Sequence, residues 1–184
     1  MRPPRPDIAV PPFPGDTDWI GDAPPAVERL TARGPVLVHF ICAGHAASVR
    51  TLPYLAGWHE RYARLGLSVL GVNSPRFPFS GDRGKLGAAL SHLEVPYPFA
   101  TDPRYAIWRA YGCEGWPSTF LWAQGGVLAW FQFGEGEYAA TEQEIRSQLP
   151  ESARDENLPD PMTPLRPADA PDAGVVPPTD ELFP

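Results

Sequence analysis

Apolar positions along the middle of the chain alternate between runs that suit a buried strand and stripes that suit a helix. Residues 36–41 (VLVHFI) are almost all apolar, the pattern of a strand covered on both faces. Residues 46–65 place Val49, Leu52, Leu55, Ala56, His59 and Tyr62 at helical spacing, and Gly66 closes that helix. Residues 67–72 (LSVLGV) read as a second buried strand. A strand, helix, strand order calls for a right-handed crossover and a parallel pair. Upstream, residues 24–34 (PPAVERLTARG) predict a short helix with proline at its start and glycine at its end.

Beyond Asn73 the pattern loosens into a turn-rich loop (SPRFPFSGDRG). Residues 85–93 then predict a weak helix, residues 97–100 a short strand and residues 105–111 a short helix. Residues 118–123 and 127–133 flank Gln124-Gly125-Gly126, a hairpin signal with glycines where positive φ is needed. Residues 135–149 predict a closing helix with acids in its first turn, as the macrodipole favours. Together these elements predict an α/β domain, a mixed sheet of four or five strands with helices on both faces.

Composition sets the limits of that domain. At 184 residues and 43% hydrophobic content, the chain can bury one good core but not two. Its 25 prolines crowd the ends: eight lie in residues 1–25, nine in residues 150–184 and eight in all the rest. The expected organisation is a proline-rich arm over residues 1–24, a globular domain over residues 25–149 and a tail over residues 150–184 that is disordered or a linker. Charge divides the same way. Residues 150–184 carry eight acids and two arginines, a net of −6, whereas residues 1–149 carry fourteen acids and thirteen bases, a net of −1.

No clustered basic surface is available for nucleic acid, and no run of about 18 apolar residues is available to span a bilayer. The opening MRPPRPDIAVPPFPGD lacks the apolar core of a secretory signal, so the expectation is a cytoplasmic protein. Two cysteines, Cys42 and Cys113, do not make a disulfide scaffold; they read as free thiols or one optional pair.

One stretch carries most of the functional information. Residues 36–55 (VLVHFICAGHAASVRTLPYL) describe a strand that turns into a helix with its first N–H groups facing solvent, the place where a low-pKa thiolate is commonly held. With Gly71-Val72-Asn73-Ser74-Pro75, Asp102-Pro103, Trp108, Tyr111-Gly112, Trp116-Pro117 and Phe133-Gly134-Glu135-Gly136, this stretch resembles the thioredoxin fold of the TlpA-like or redoxin branch, a thiol-disulfide interchange family. The resemblance covers residues 18–149.

Counting from Phe40 and from Pro53 without a gap, the resemblance puts the family's two active-site cysteines at His45 and Ser48, and its buried acid at His39. All three chemical positions are altered. The resemblance also implies that the Trp116-Pro117 bond is cis and that Gly44, Trp116 and Pro117 border a groove where an extended peptide pairs with backbone. Trp116 is expected to stay accessible at that groove.

His45 reads in two ways: an acid–base group or ligand held neutral at a helix N-terminus, or a solvated replacement for a lost cysteine. His39, on a buried strand, is expected to be a core histidine with its tautomer fixed by a backbone partner. Sliding the helix start by about one turn would instead make Cys42-Ala43-Gly44-His45 the active corner, with Cys113 as a conceivable partner of Cys42. Cys42, His45 and His39 match no standard zinc spacing, so neither metal nor cofactor is expected.

The expected function is that of a thioredoxin-like domain without the dithiol site, a non-catalytic module that binds a protein or extended peptide at the groove or serves as a scaffold. The alternative is a thiol-dependent oxidoreductase that reduces disulfides or peroxides with Cys42 and Cys113. Exposure of the Cys42 sulfur at the helix start separates the two.

Overall fold

The computed structural model describes residues 5–154 and 158–179. Seven strands form one sheet in the order β1-β7-β6-β3-β4-β5-β2: β1 (Arg5–Ala9), β2 (Asp18–Ile20), β3 (Val36–Ile41), β4 (Ser68–Asn73), β5 (Phe99–Thr101), β6 (Ser118–Trp122) and β7 (Val127–Phe133). β3, β4 and β5 run parallel; β6, β7 and both N-terminal strands pair antiparallel. The helices are α1 (Val27–Thr31), α2 (Ala46–Tyr62), α3 (Arg83–His92), α4 (Ala106–Ala110), α5 (Tyr138–Gln148) and α6 (Glu151–Arg154).

The α/β class holds, and the strand count corrects upward from four or five to seven. Both additional strands come from the proline-rich N-terminal arm, which pairs at the two outer edges of the sheet. Edge strands tolerate proline, so Pro6 costs β1 nothing essential. β2 is only three residues long and offers no period to read.

All six residues of β3 are buried, and they alternate between two cores. Leu37 and Ile41 pack with Leu52, Leu55, Trp58, Tyr62 and Ile145 under α2 and α5. Val36, Val38 and Phe40 pack with Trp108, Tyr111, Trp116, Phe120 and Trp122 on the opposite face. A strand buried on both faces explains why its sequence is continuously apolar rather than alternating.

In α2, Tyr54, Gly57 and Trp58 are buried in addition to Leu52, Leu55 and Tyr62, a wider face than one sheet contact needs. The cause lies in the tail. Leu158 and Met162 pack against the α2/α5 core, and a Cβ on Gly57 would lie 2.6 Å from the Met162 sulfur. The described tail residues are therefore docked on the domain, where composition alone suggests a disordered segment or a linker.

The closing helix starts at Tyr138, not at residue 135, and carries no acid in its first turn. Glu135 instead precedes the helix in extended backbone, where it takes ionic partners described below. The hairpin between β6 and β7 has Gly125 and Gly126 at φ 91° and 79°.

Candidate functional site

β3 ends at Ile41, and four residues later α2 begins with His45 as its N-cap, at φ −112° and ψ 120°. The turn is tied by local bonds: the His45 N–H donates to the Cys42 carbonyl at 2.9 Å, and the Ala43 N–H donates to Asn73 Oδ1 at 2.9 Å. Asn73 in turn donates through Nδ2 to the Ser80 carbonyl at 2.9 Å, so the loop after β4 is fastened over the corner.

Cys42 lies beneath that loop with no solvent exposure. Its thiol donates to Ser80 Oγ and its sulfur accepts the Arg76 N–H, each at 3.4 Å. The sulfur thus faces the core, not the helix N-terminus. Cys113 is half-buried and also a free thiol; burial, aided by the Asp102 charge, pushes it far above the ordinary thiol range. Ser48 is fully buried and its Oγ accepts the Cys42 N–H at 3.3 Å.

His39 corrects one expectation. Its partner is a side chain, not backbone: Nε2 lies 2.9 Å from Thr51 Oγ1. The Thr51 hydroxyl spends its single proton on the Ser48 carbonyl at 2.7 Å, so the imidazole must donate from Nε2 and keep an unprotonated Nδ1. That Nδ1 has no partner among the described residues, and full burial pushes the imidazole down to about 3.

His45 is half-buried, and its Nε2 lies 3.0 Å from Thr179 Oγ1 in the tail. Partial burial, then the Arg76 and Arg50 charges, lower its proton affinity against a smaller opposing effect of Glu135. Trp116 is 1% exposed, which corrects the expectation that its ring borders an open groove. The indole packs on Trp108 with ring centroids 4.4 Å apart and donates to the Ser74 carbonyl at 2.9 Å. Only its backbone serves the groove. The Trp116–Pro117 peptide bond is cis. Gly44 turns the other way, against Phe79, and borders a cavity of about 130 Å³ with Ser80, Lys85 and Ala89.

What the backbone of Trp116 pairs with is the chain itself. Trp116 and Thr179 exchange both N–H···O bonds at 3.0 and 2.9 Å, and Glu135 and Val176 do the same at 2.9 and 2.8 Å. Gly115 and Gly134 let the segment approach. A Cβ on Gly134 would meet the Val176 carbonyl at 2.1 Å, and one on Gly115 would meet the Thr179 carbonyl at 2.6 Å.

An ionic cluster anchors this segment from behind. The Glu135 carboxylate, 4% exposed, accepts from Arg50 Nε at 2.9 Å and Arg50 Nη2 at 2.7 Å, and it also accepts from Arg166. Arg166 binds Asp169 as well, and Tyr54 joins the set by donating to Asp169 at 2.8 Å and accepting the Leu165 N–H at 2.7 Å. Hydrogen bonds from Arg50, followed by those from Arg166, hold the Glu135 carboxyl below the usual range against the effect of burial.

The structure thus brings His45 and Trp116 together through Thr179, while the Cys42 and Cys113 side chains pack in the apolar core that also holds Trp116, and Gly44 faces Phe79. Sequence reasoning missed Arg50, Glu135, Arg166, Asp169, Val176 and Thr179 as partners. The one available signal was the β-branched pair Val175-Val176 running into Pro177-Pro178, a segment biased to extended backbone. Among the described residues no group of three His, Cys, Asp or Glu side chains is placed to hold a metal, and no helix is long and apolar enough to cross a membrane.

No family model matches the chain. Over 174 residues, 92% of the chain, it is 31% identical to Protein DipZ of Mycobacterium tuberculosis, of which the match covers 25%. The chain therefore spans about a quarter of the length of that relative. Among solved structures it is similar to a thiol-disulfide isomerase from Corynebacterium glutamicum, with 20% identity and a TM-score of 0.68 over 77% of this chain and 97% of the other. It is equally similar to a thioredoxin-like superfamily protein, with 19% identity and a TM-score of 0.68 over 78% and 97% of the two chains.

Proposed function

The chain is a thioredoxin-like protein by fold, and from that premise we propose that it is a binding module without dithiol chemistry, holding an extended peptide along the backbone of Trp116 and Glu135. The observation that carries this reading is the double pairing of those two residues with an extended segment beside His45. A sheet margin that offers alternating N–H and C=O groups binds extended chain through backbone, and affinity then needs no reactive side chain.

Histidine and serine at positions 45 and 48 support the loss of thiol chemistry, since neither supplies a thiolate at the helix start. Burial of Cys42 under the loop weighs against the rival oxidoreductase, whose first step needs an accessible thiolate.

Turnover of insulin disulfides with dithiothreitol as electron donor tests it. The wild-type chain, Cys42→Ser and Cys113→Ser are all expected to match the uncatalysed rate. Reduction above that rate that disappears with either cysteine would overturn the proposal.

A further inference from the structure

The groove is already filled by the chain's own residues 174–179, and the way they fill it describes a ligand. Among the described residues the segment makes its hydrogen bonds at Val176 and Thr179, three positions apart. Pro177 and Pro178 lie between them, where no N–H is required, and they hold the segment extended before it binds. The Val176 residue is 55% exposed, so the groove reads its backbone and not its side chain. At Thr179 the hydroxyl meets His45 Nε2, a side-chain contact that depends on residue type. Gly115 and Gly134 form a floor without side chains, fitted to the two carbonyls of the segment.

A second device holds the segment in place. Arg166 binds Asp169 within the tail and Glu135 on the domain, and Glu135 is the residue whose backbone pairs with Val176. Losing the Arg166 contact therefore loosens the tail immediately upstream of the paired segment.

We propose that residues 174–179 are a resident ligand of the groove, latched by Arg166, and that the partner it excludes is an extended protein segment of the same chemistry: consecutive prolines followed by a hydroxyl residue presented to His45. This rests on the groove reading above. A tethered segment competes at an effective concentration of about millimolar, so a free peptide gains access mainly when the latch is open.

The test uses the full chain as wild type, Arg166→Ala and Gly115→Ala, with an acetylated and amidated peptide of sequence GVVPPT as the probe. Amide hydrogen exchange at Trp116 and Glu135 reports the resident segment, and titration calorimetry reports the free peptide. Gly115→Ala leaves the latch intact, and the three nearest atoms to its added Cβ all belong to Pro178 or Thr179.

Arg166→Ala is expected to speed exchange at both amides and to bind the peptide about tenfold more tightly than wild type. Replacing the last peptide residue by valine is expected to weaken that binding about fivefold. Gly115→Ala is expected to speed exchange and yet bind no peptide, because the same Cβ blocks either occupant. Equal peptide affinity in wild type and Arg166→Ala would overturn the resident-ligand proposal and leave the groove reading standing. Fast exchange in Arg166→Ala with no peptide binding at all would overturn the groove reading itself, and the proposal with it. Unchanged exchange in both variants would show that the segment does not guard the groove, which also overturns the proposal.

Discussion

His45 Nε2 lies 3.0 Å from Thr179 Oγ1, so the residue at the N-cap of the thioredoxin-like corner touches the chain's own tail. A side chain at this corner is the natural reader of whatever lies beside Trp116. Its imidazole is held toward the neutral form by partial burial and by Arg76 and Arg50, which suits exchange of a hydrogen bond with a hydroxyl.

Thr179→Val removes the hydroxyl and keeps the shape. One neutral hydrogen bond contributes about 1 kcal/mol, which corresponds to roughly a fivefold faster exchange of the Trp116 amide. His45→Ala is expected to give a similar increase, and the double variant no more than either alone, since both remove one contact. Additive effects in the double variant would show that the two side chains do not interact.

Glu135 carries two duties, one through its backbone and one through its carboxylate. Glu135→Gln keeps the Val176 pairing but leaves Arg50 and Arg166 without their shared anion. Because the carboxylate is buried, the expected loss is about 1–3 kcal/mol at pH 7, measured by urea unfolding. Its folded proton affinity is depressed, so this contribution is present above the ordinary carboxylate range and fades as pH falls below it. Glu135→Gln should therefore lose less stability than wild type between pH 5 and pH 3. An acid limb identical to wild type would remove Glu135 from the clamp.

Local signals were readable from sequence, and distant ones were not. β3 was legible because six successive buried positions leave a continuous apolar run, and the β6–β7 hairpin because Gly125 and Gly126 mark its turn. His39, His45 and Ser48 stood out only through the family resemblance, by their count from Phe40 and Pro53, and Trp116 and Pro117 through the same resemblance. The tail anchors follow no period. Leu158, Met162, Arg166 and Thr179 each fasten a different point, and their partners lie far away: 31 residues for Arg166 with Glu135 and 134 for Thr179 with His45. A proline-rich acidic composition describes the segment in solution, whereas its docking depends on pockets that exist only once the domain has folded. A glycine-flanked carboxylate just before a helix has the same local pattern as a first-turn acid and as an ionic anchor, so the sequence around Glu135 does not separate the two roles.

Both thiols are expected to alkylate slowly in the native protein. Cys42 has no exposed surface and its sulfur is engaged by Ser80 and Arg76, and the Cys113 thiol is pushed up by burial. With iodoacetamide at pH 7.5 (a condition chosen for the test), native labelling of either residue should trail labelling in urea by about a hundredfold or more, as burial without local opening requires. Fast native labelling of Cys42 alone would mean that the loop over the corner opens readily.

His39 gives the chain an acid sensitivity of its own. The unfolded imidazole titrates near its ordinary value of 6.5, whereas the folded one is pushed down to about 3. Below pH 6.5 the unfolded state binds a proton that the folded state refuses, so stability falls as pH falls through this window and is fully retained above it. The slope from one such group approaches about 1.4 kcal/mol per pH unit. His45 and His59 are lowered too, so they add to the slope in the same direction. His39→Leu should flatten the loss between pH 6.5 and pH 4.5, a range in which the depressed carboxyls of Glu135 and Asp169 stay ionised. It also removes an Nδ1 that has no partner among the described residues, so its stability at pH 7 should stay within about 1 kcal/mol of wild type despite the lost Thr51 contact. Urea unfolding at pH 7, 5.5 and 4.5 measures both quantities. A variant that loses stability on acidification as steeply as wild type would mean that the native imidazole takes up its proton after all.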